Sequence, residues 1–257
     1  MPRCARKRAE SGIYHVMARG NGRQVLFEDD RDRFAFLEAL SRVSDELGID
    51  ILAWCLMSNH IHLLLRDGEF ALSEMMHRVM TSYAMRFNAR SGHVGHVFQD
   101  RFKSRPIEDN DYLLNAVIYI HANPEEAGIY STDTYLWSSY GEYVGRPHAI
   151  CLADTACVLD MVGGEEAFEK LSRSGERRGL YRLEEQKRIP DEKAIALAAS
   201  LLDGFELSDL KALPSARRSG YLLRLIKAGM NPHQVERLTG IGRHAVGRLA
   251  CFAVAEG

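Results

Sequence analysis

The stretch Trp54-Cys55-Leu56-Met57-Ser58-Asn59-His60-Ile61-His62-Leu63-Leu64-Leu65 constrains this chain more than any other. It reads as two short apolar strands joined at Ser58-Asn59. Side chains alternate between the faces of a strand, so His60 and His62 share a face while Ile61 points into the opposite layer. Two imidazoles side by side can hold a metal ion or a phosphate, and they fill a core poorly. Half-buried structural histidines give the same pattern, so the pair needs a third ligand and a reactive group before it defines a site.

The flanking periodicities supply the fold. Ile13-Tyr14-His15-Val16-Met17-Ala18-Arg19 alternates as a half-buried strand does and runs into the turn Gly20-Asn21-Gly22. From 30 to 47, Phe34, Phe36, Leu37, Leu40, Val43 and Leu47 recur at helical spacing. Asp29 or Asp30 is placed to cap that helix and Gly48 to end it. Residues 49–57 give a second strand, and the histidine strand follows, ending near Arg66-Asp67-Gly68. A second helix spans 72–89, with Met75, Met76, Met80 and Met85 on a face read as core, and Gly92 and Gly95 break it. His93 and His96 lie in that glycine-rich loop and have no fixed geometry as ligands. Residues 98–107 read as a turn and a fourth strand. Strand, helix, strand, strand, helix, strand is the order of an α+β, ferredoxin-like antiparallel sheet with helices on one face. The first and third strands are then central, and the histidine face is open unless something covers it.

Composition narrows the class. Of 257 residues, 46% are hydrophobic and 26% charged, as in ordinary globular proteins. A net charge of -2 excludes a uniformly basic nucleic-acid binder but leaves room for local basic patches. Such patches occur at Arg3, Arg6, Lys7 and Arg8, at Arg19 and Arg23 around the first turn, and at Arg101, Lys103 and Arg105, where cations alternate with Phe98 and Phe102. Five cysteines without a C-x-x-C pair argue against a disulfide framework and a structural zinc site. No apolar run is long enough to span a bilayer and no signal-peptide core is evident, so a reduced, cytoplasmic location is expected. The sequence shows no internal repeat.

A third ligand and a nucleophile are offered by the segment from Asn110 to Pro124. Asn110 or Asp111 can cap a helix there, and Pro124 disfavours helical conformation at Asn123. Tyr119 and Asn123 are four apart and share a face. A tyrosine hydroxyl beside a divalent cation can attack a phosphodiester, and a neutral asparagine oxygen suits Mg²⁺ or Mn²⁺. A core aromatic followed by a C-cap would carry the same two residues. Tyr83 and Tyr112 are weaker candidates, since neither has a suitable polar residue one turn on.

Gly12-x-Tyr14-His15-Val16, Arg19-Gly20-Asn21, Asn59-His60-Ile61-His62-Leu63 and Tyr119-Ile120-His121-Ala122-Asn123-Pro124 together resemble the single-tyrosine HUH transposases, and most closely their REP-associated branch, the RAYT proteins. The resemblance spans roughly residues 1–145. It implies the HUH endonuclease fold and a metal-dependent endonuclease and strand transferase acting on single-stranded DNA near hairpins or palindromic repeats. It assigns His60, His62 and Asn123 to the metal and Tyr119 to nucleophilic attack, leaving a 5′-phosphotyrosine that a second 3′-hydroxyl later reverses. It also implies that the basic N-terminal segment, Arg3, Arg6 and Arg8, helps read a short guide sequence beside the hairpin.

Trp137-Ser138-Ser139-Tyr140 resembles the end of that family's catalytic region. The expected organisation is a catalytic domain over 1–147, a charged helical linker over 148–192 with a mobile, glycine-bearing part at 163–192, and a helical domain over 193–257. In the last of these, Tyr221 to Ile226, Pro232 to Leu238 and residues 243–252 have the cadence of a helix-turn-helix, with Thr239-Gly240-Ile241-Gly242 as a turn. Arg243 and Arg248 are its candidate DNA contacts, and Glu236 is the only acid apparent among its arginines. The expected partner is single-stranded or hairpin DNA, with a second copy of the chain as a further candidate and no membrane. The rival readings are a DNA-binding regulator that has lost the chemistry and a module that binds RNA hairpins.

Overall fold

In the computed structural model of the chain, which describes residues 8–146, 150–174, 197–198, 200–205, 207, 209–228, 230, 232–242 and 245–246, four strands form one sheet. They are β1 (Ile13–Arg19), β2 (Asp50–Leu56), β3 (His60–Arg66) and β4 (Lys103–Ile107), ordered β2-β3-β1-β4. Every neighbouring pair is antiparallel. β1 and β3 are therefore central, as the sequence order requires. Their register sets Met17 opposite His62 and Arg19 opposite His60.

One face of this sheet is hydrocarbon. Val16, Ala18, Ile61, Leu63, Leu65, Trp54 and Leu56 pack there against helices α1 (Asp30–Leu47) and α2 (Leu72–Ser91). Each large aliphatic side chain so buried contributes about 1.5–3 kcal/mol. Asp29 caps α1 by accepting the Asp32 N–H at 3.1 Å, and Gly48 ends it at φ 63°, a conformation glycine takes without a Cβ clash. Ahead of α2, the Asp67 carboxylate accepts the N–H groups of Glu69, Ala71 and Leu72 at 3.2, 3.0 and 2.8 Å. Met75 and Met76 are fully buried as the spacing predicts, but Met85 faces solvent.

Helix α3 (Asn110–Glu126) packs against β2 and β3, and its Tyr119 ring meets histidines that project from the opposite face of the sheet. It is the cover that the histidine face needed. Its N-cap is Asp109, which accepts the Tyr112 N–H at 2.7 Å, rather than Asn110 or Asp111. The helix also runs through Pro124 instead of stopping at Asn123. So close to the C-terminus the proline forfeits a single N–H donor, and a Schellman closure fixes the end. Ile129 N–H donates to the Pro124 carbonyl at 3.0 Å and Gly128 N–H to the Glu125 carbonyl at 2.9 Å, with Gly128 at φ 68°.

The chain then returns along β2 and satisfies that edge. Leu56 N–H donates to the Trp137 carbonyl at 2.8 Å and Ser139 N–H to the Trp54 carbonyl at 2.9 Å. The hydroxyls of Tyr135 and Tyr143 donate to the Leu56 and Leu52 carbonyls, both at 2.7 Å. Glu142, in the short helix α4 (Tyr140–Tyr143), accepts the Trp54 indole N–H at 2.9 Å and the N–H groups of Leu152 and Ala153. Helices α5 (Ala156–Val162) and α6 (Glu165–Ser174) follow, joined at Gly163 and Gly164, which have φ of 89° and 106°. Residues 165–174 are thus packed helix, not a mobile connection. Phe168 is fully buried against the rings of His121, Tyr140 and Tyr143. The two glycines that suggested flexibility serve as the tight turn between helices.

Arg6–Tyr181 make one compact unit, and Arg182–Gly257 fall in another. In the second, α7 (Ser215–Lys227) and α8 (Pro232–Thr239) share a core that includes Leu222, Leu225, Val235 and Ile241. Glu236 is not the only acid beside its arginines, since Asp203 pairs with Arg224 at 2.8 Å. The helix expected over 243–252 falls outside the described residues, apart from a helical 245–246.

Candidate active site

β3 begins with His60 half-buried and carries His62 into a buried position on the α3 side of the sheet. Their ring centroids are 5.0 Å apart and nearly perpendicular. Each ring is held through Nδ1. His60 Nδ1 lies 2.7 Å from the Asn59 Oδ1, which can only accept, so His60 donates. His62 Nδ1 lies 3.0 Å from Nε2 of His15, on β1. His15 stands diagonally across from His62, two residues along β1 from its direct partner Met17. Nε2 is then the nitrogen that His60 has to offer, and the one that His62 leaves outside its contact with His15.

α3 brings Tyr119 onto this cluster. Its ring centroid is 5.8 Å from that of His62 and 5.9 Å from that of His15, edge-on to both. Asn123, one turn on, is buried, and its Nδ2 donates to the Tyr119 carbonyl at 2.8 Å. That bond turns the amide back along its own helix and leaves Oδ1 as the end suited to a cation. Among the described residues, no group of three or more His, Cys, Asp or Glu is arranged to hold a metal ion. The candidate donor set is instead two imidazoles and one amide oxygen, with no carboxylate among them.

Protonation agrees with that chemistry. Burial pushes the His15 imidazolium down to about 3, helped by the nearby Arg105 charge. Burial also carries His62 well below its ordinary value, with His15, His60 and Arg19 acting in the same direction. Both rings are neutral near pH 7, the form that ligates metals. Tyr83 and Tyr112, the weaker candidates, are engaged elsewhere. The Tyr83 hydroxyl donates to the Leu26 carbonyl, and burial raises its pKa. Tyr112 lies under the Arg105 guanidinium, 4.7 Å from the ring centroid.

Arg19, Arg101 and Lys103 come together. With Met17, Ala18, Gln99 and Asp100 they line a hollow of about 170 Å³ on β1 and the β4 approach, beside the strand position that faces His60. Arg105 pairs in register with His15. Arg23 is exposed, in a left-handed conformation at φ 66°. Arg8 lies over the Phe70 ring at 4.4 Å. Arg3, Arg6, Arg243 and Arg248 are outside the described residues. Spacing alone missed the part His15 plays. Its alternation on β1 gave its face, but only the pairing of β1 with β3 gives its partner.

A four-stranded antiparallel sheet backed by two helices, with a tyrosine-bearing helix over paired histidines on its other side, defines an α+β domain whose chemistry is concentrated on one sheet face. Residues 9–123 match the family described as Transposase IS200 like. Among solved structures, it is similar to the REP-associated tyrosine transposase bound to a REP hairpin, at 19% identity and a TM-score of 0.49, over 57% of this chain and 87% of that one. It is also similar to a candidate transposase from Deinococcus radiodurans R1, at 14% identity and a TM-score of 0.33, over 57% of this chain and 98% of the other. No curated protein matches the chain. Among the described residues, no helix is long and apolar enough to cross a membrane.

Proposed function

We propose that this chain is a metal-dependent single-strand DNA endonuclease and strand transferase of the REP-associated type, acting beside DNA hairpins or palindromic repeats in the cytoplasm. The observation that carries the reading is the packing of Tyr119 against His62 in a region that matches a transposase family. His60 and His62 through Nε2, with Asn123 through Oδ1, would hold Mg²⁺ or Mn²⁺. The donors fit, because imidazole and amide oxygen together suit a borderline divalent cation, and a set without a carboxylate leaves its charge available to a phosphate. When bound, the cation polarises the scissile phosphodiester and offsets charge building on its oxygens.

The rest is the work of the chain. Tyr119 gives up its phenolic proton to solvent as its oxygen bonds to phosphorus. The bond from phosphorus to the 3′-oxygen breaks, and that oxygen takes up a proton to leave as a 3′-hydroxyl. The 5′-phosphate stays on Tyr119, conserving the bond until another 3′-hydroxyl attacks and returns the tyrosine. No nucleotide cofactor is needed. Arg19, Arg101 and Lys103 would bear on phosphates flanking the cut, and the arm with Arg3, Arg6 and Arg8 on the adjoining guide sequence. Arg23, Arg105, Arg243 and Arg248 remain candidate DNA contacts, the last two through a helix-turn-helix.

Incubation with single-stranded hairpin oligonucleotides and Mn²⁺, followed by a denaturing gel, tests this. A slowly migrating protein–DNA band that disappears in Tyr119→Phe is expected. Hairpin binding without any such band would instead assign the chain to the regulators that keep the fold and lack the chemistry.

A further inference from the structure

The contact between His15 and His62 has no counterpart in the proposed chemistry, yet it is a polar contact between two buried rings at the heart of the site. Both residues are at most 2% exposed, and their ring centroids are 5.2 Å apart. Between two neutral imidazoles the bond can take two forms. In one, His62 Nδ1–H donates to a bare His15 Nε2, and His62 Nε2 carries a lone pair. In the other, His15 Nε2–H donates to His62 Nδ1, the His62 proton sits on Nε2, and that ring cannot ligate.

We infer that His15 is a positioning residue that holds His62 in its Nδ1-protonated form, aiming the Nε2 lone pair at the cation. This rests on the metal-binding reading above. His60 is held in the same form by Asn59 Oδ1, so one tautomer is imposed on both rings by two different acceptors from two different parts of the chain. Ligating histidines are commonly oriented by a carboxylate or a carbonyl on their second nitrogen. An imidazole in that place orients without adding charge. A carboxylate there would lie beside Arg105, directly across the ladder from His15, and would pull the cation's field away from the DNA phosphate. The neutral acceptor keeps His62 a moderate donor and the cation a stronger Lewis acid. The Tyr119 ring rests edge-on against both members of the pair, so the same contact shapes the bed on which the nucleophile lies.

The test is Mn²⁺ affinity of the full chain without DNA, read from the free-ion electron paramagnetic resonance signal, with thermal melts run alongside. His62→Ala should lose binding. His15→Leu should weaken it about 10- to 100-fold, the usual effect of removing such a partner. His15→Gln, whose amide oxygen can accept the same bond, should return it to within a few-fold of wild type. Wild-type affinity in His15→Leu, with binding lost in His62→Ala, overturns the positioning role and leaves the metal site standing. No Mn²⁺ binding by the wild type, or unchanged binding in His62→Ala, overturns the metal reading and this inference with it. Should His15→Leu fail to fold, ¹⁵N spectra of the wild-type histidines decide. A proton on His62 Nδ1 supports the inference, and one on Nε2 overturns it.

Discussion

Ile61 and His62 are consecutive on β3 and almost equally buried, at 0% and 2% exposure, yet they belong to two different materials. Ile61 enters hydrocarbon between the sheet and helices α1 and α2. His62 enters a layer of rings and hydrogen-bonding atoms beneath α3. The first face stabilises by removing apolar surface from water and tolerates any well-shaped aliphatic filling. The second buries polar groups whose desolvation is offset only by specific partners. One strand, by alternation alone, serves as the structural wall of the domain on one side and the floor of its candidate site on the other.

Substitutions on the two faces should therefore separate stability from chemistry. The largest effect is expected from Tyr119→Phe, which should lower covalent DNA product by about a thousandfold or more in a denaturing gel while hairpin affinity stays within a few-fold. Next, Ile61→Ala should cost about 2–5 kcal/mol in urea unfolding, yet leave product formation per folded molecule unchanged. His62→Leu should cost less, about 1–3 kcal/mol, because it removes the partner of the buried His15 Nε2, and it should abolish product. Adding His15→Leu to His62→Leu should recover much of that stability without recovering product, since replacing both partners of a buried polar pair by apolar groups is nearly neutral. Additive losses in that double variant would break the distinction between the faces. The smallest effect is expected from Lys103→Ala. Fluorescence anisotropy should show hairpin affinity down a few-fold and the slope of log affinity against log salt shallower by about 0.7–0.9, one phosphate contact.

The elements built by local rules were legible in the sequence. Alternation gave β1 and β3, helical spacing with Asp29 and Gly48 gave α1, and the period of two placed His60 and His62 on one face. Tyr119 and Asn123 lie one turn apart on a single helix, as their spacing requires. What escaped was set by contacts distant in sequence. The side of the sheet that α3 covers depends on how it crosses from β4, and nothing in 110–126 encodes that. The His15–His62 bond spans strands paired by register. Phe168 completes an aromatic cluster with His121, Tyr140 and Tyr143, so the glycines near 163 could not be told from a mobile link until that packing was seen. Pro124 misled because its local penalty is real but is outweighed by the Schellman closure four residues on.

The central claim is that α3 delivers a reactive phenol to a face of paired imidazoles. Mass mapping of the residue that carries DNA after reaction with a hairpin oligonucleotide and Mn²⁺ tests it most directly. The linked phosphate should be found on Tyr119. A phosphate on Tyr112, Tyr83 or any other residue would contradict the account.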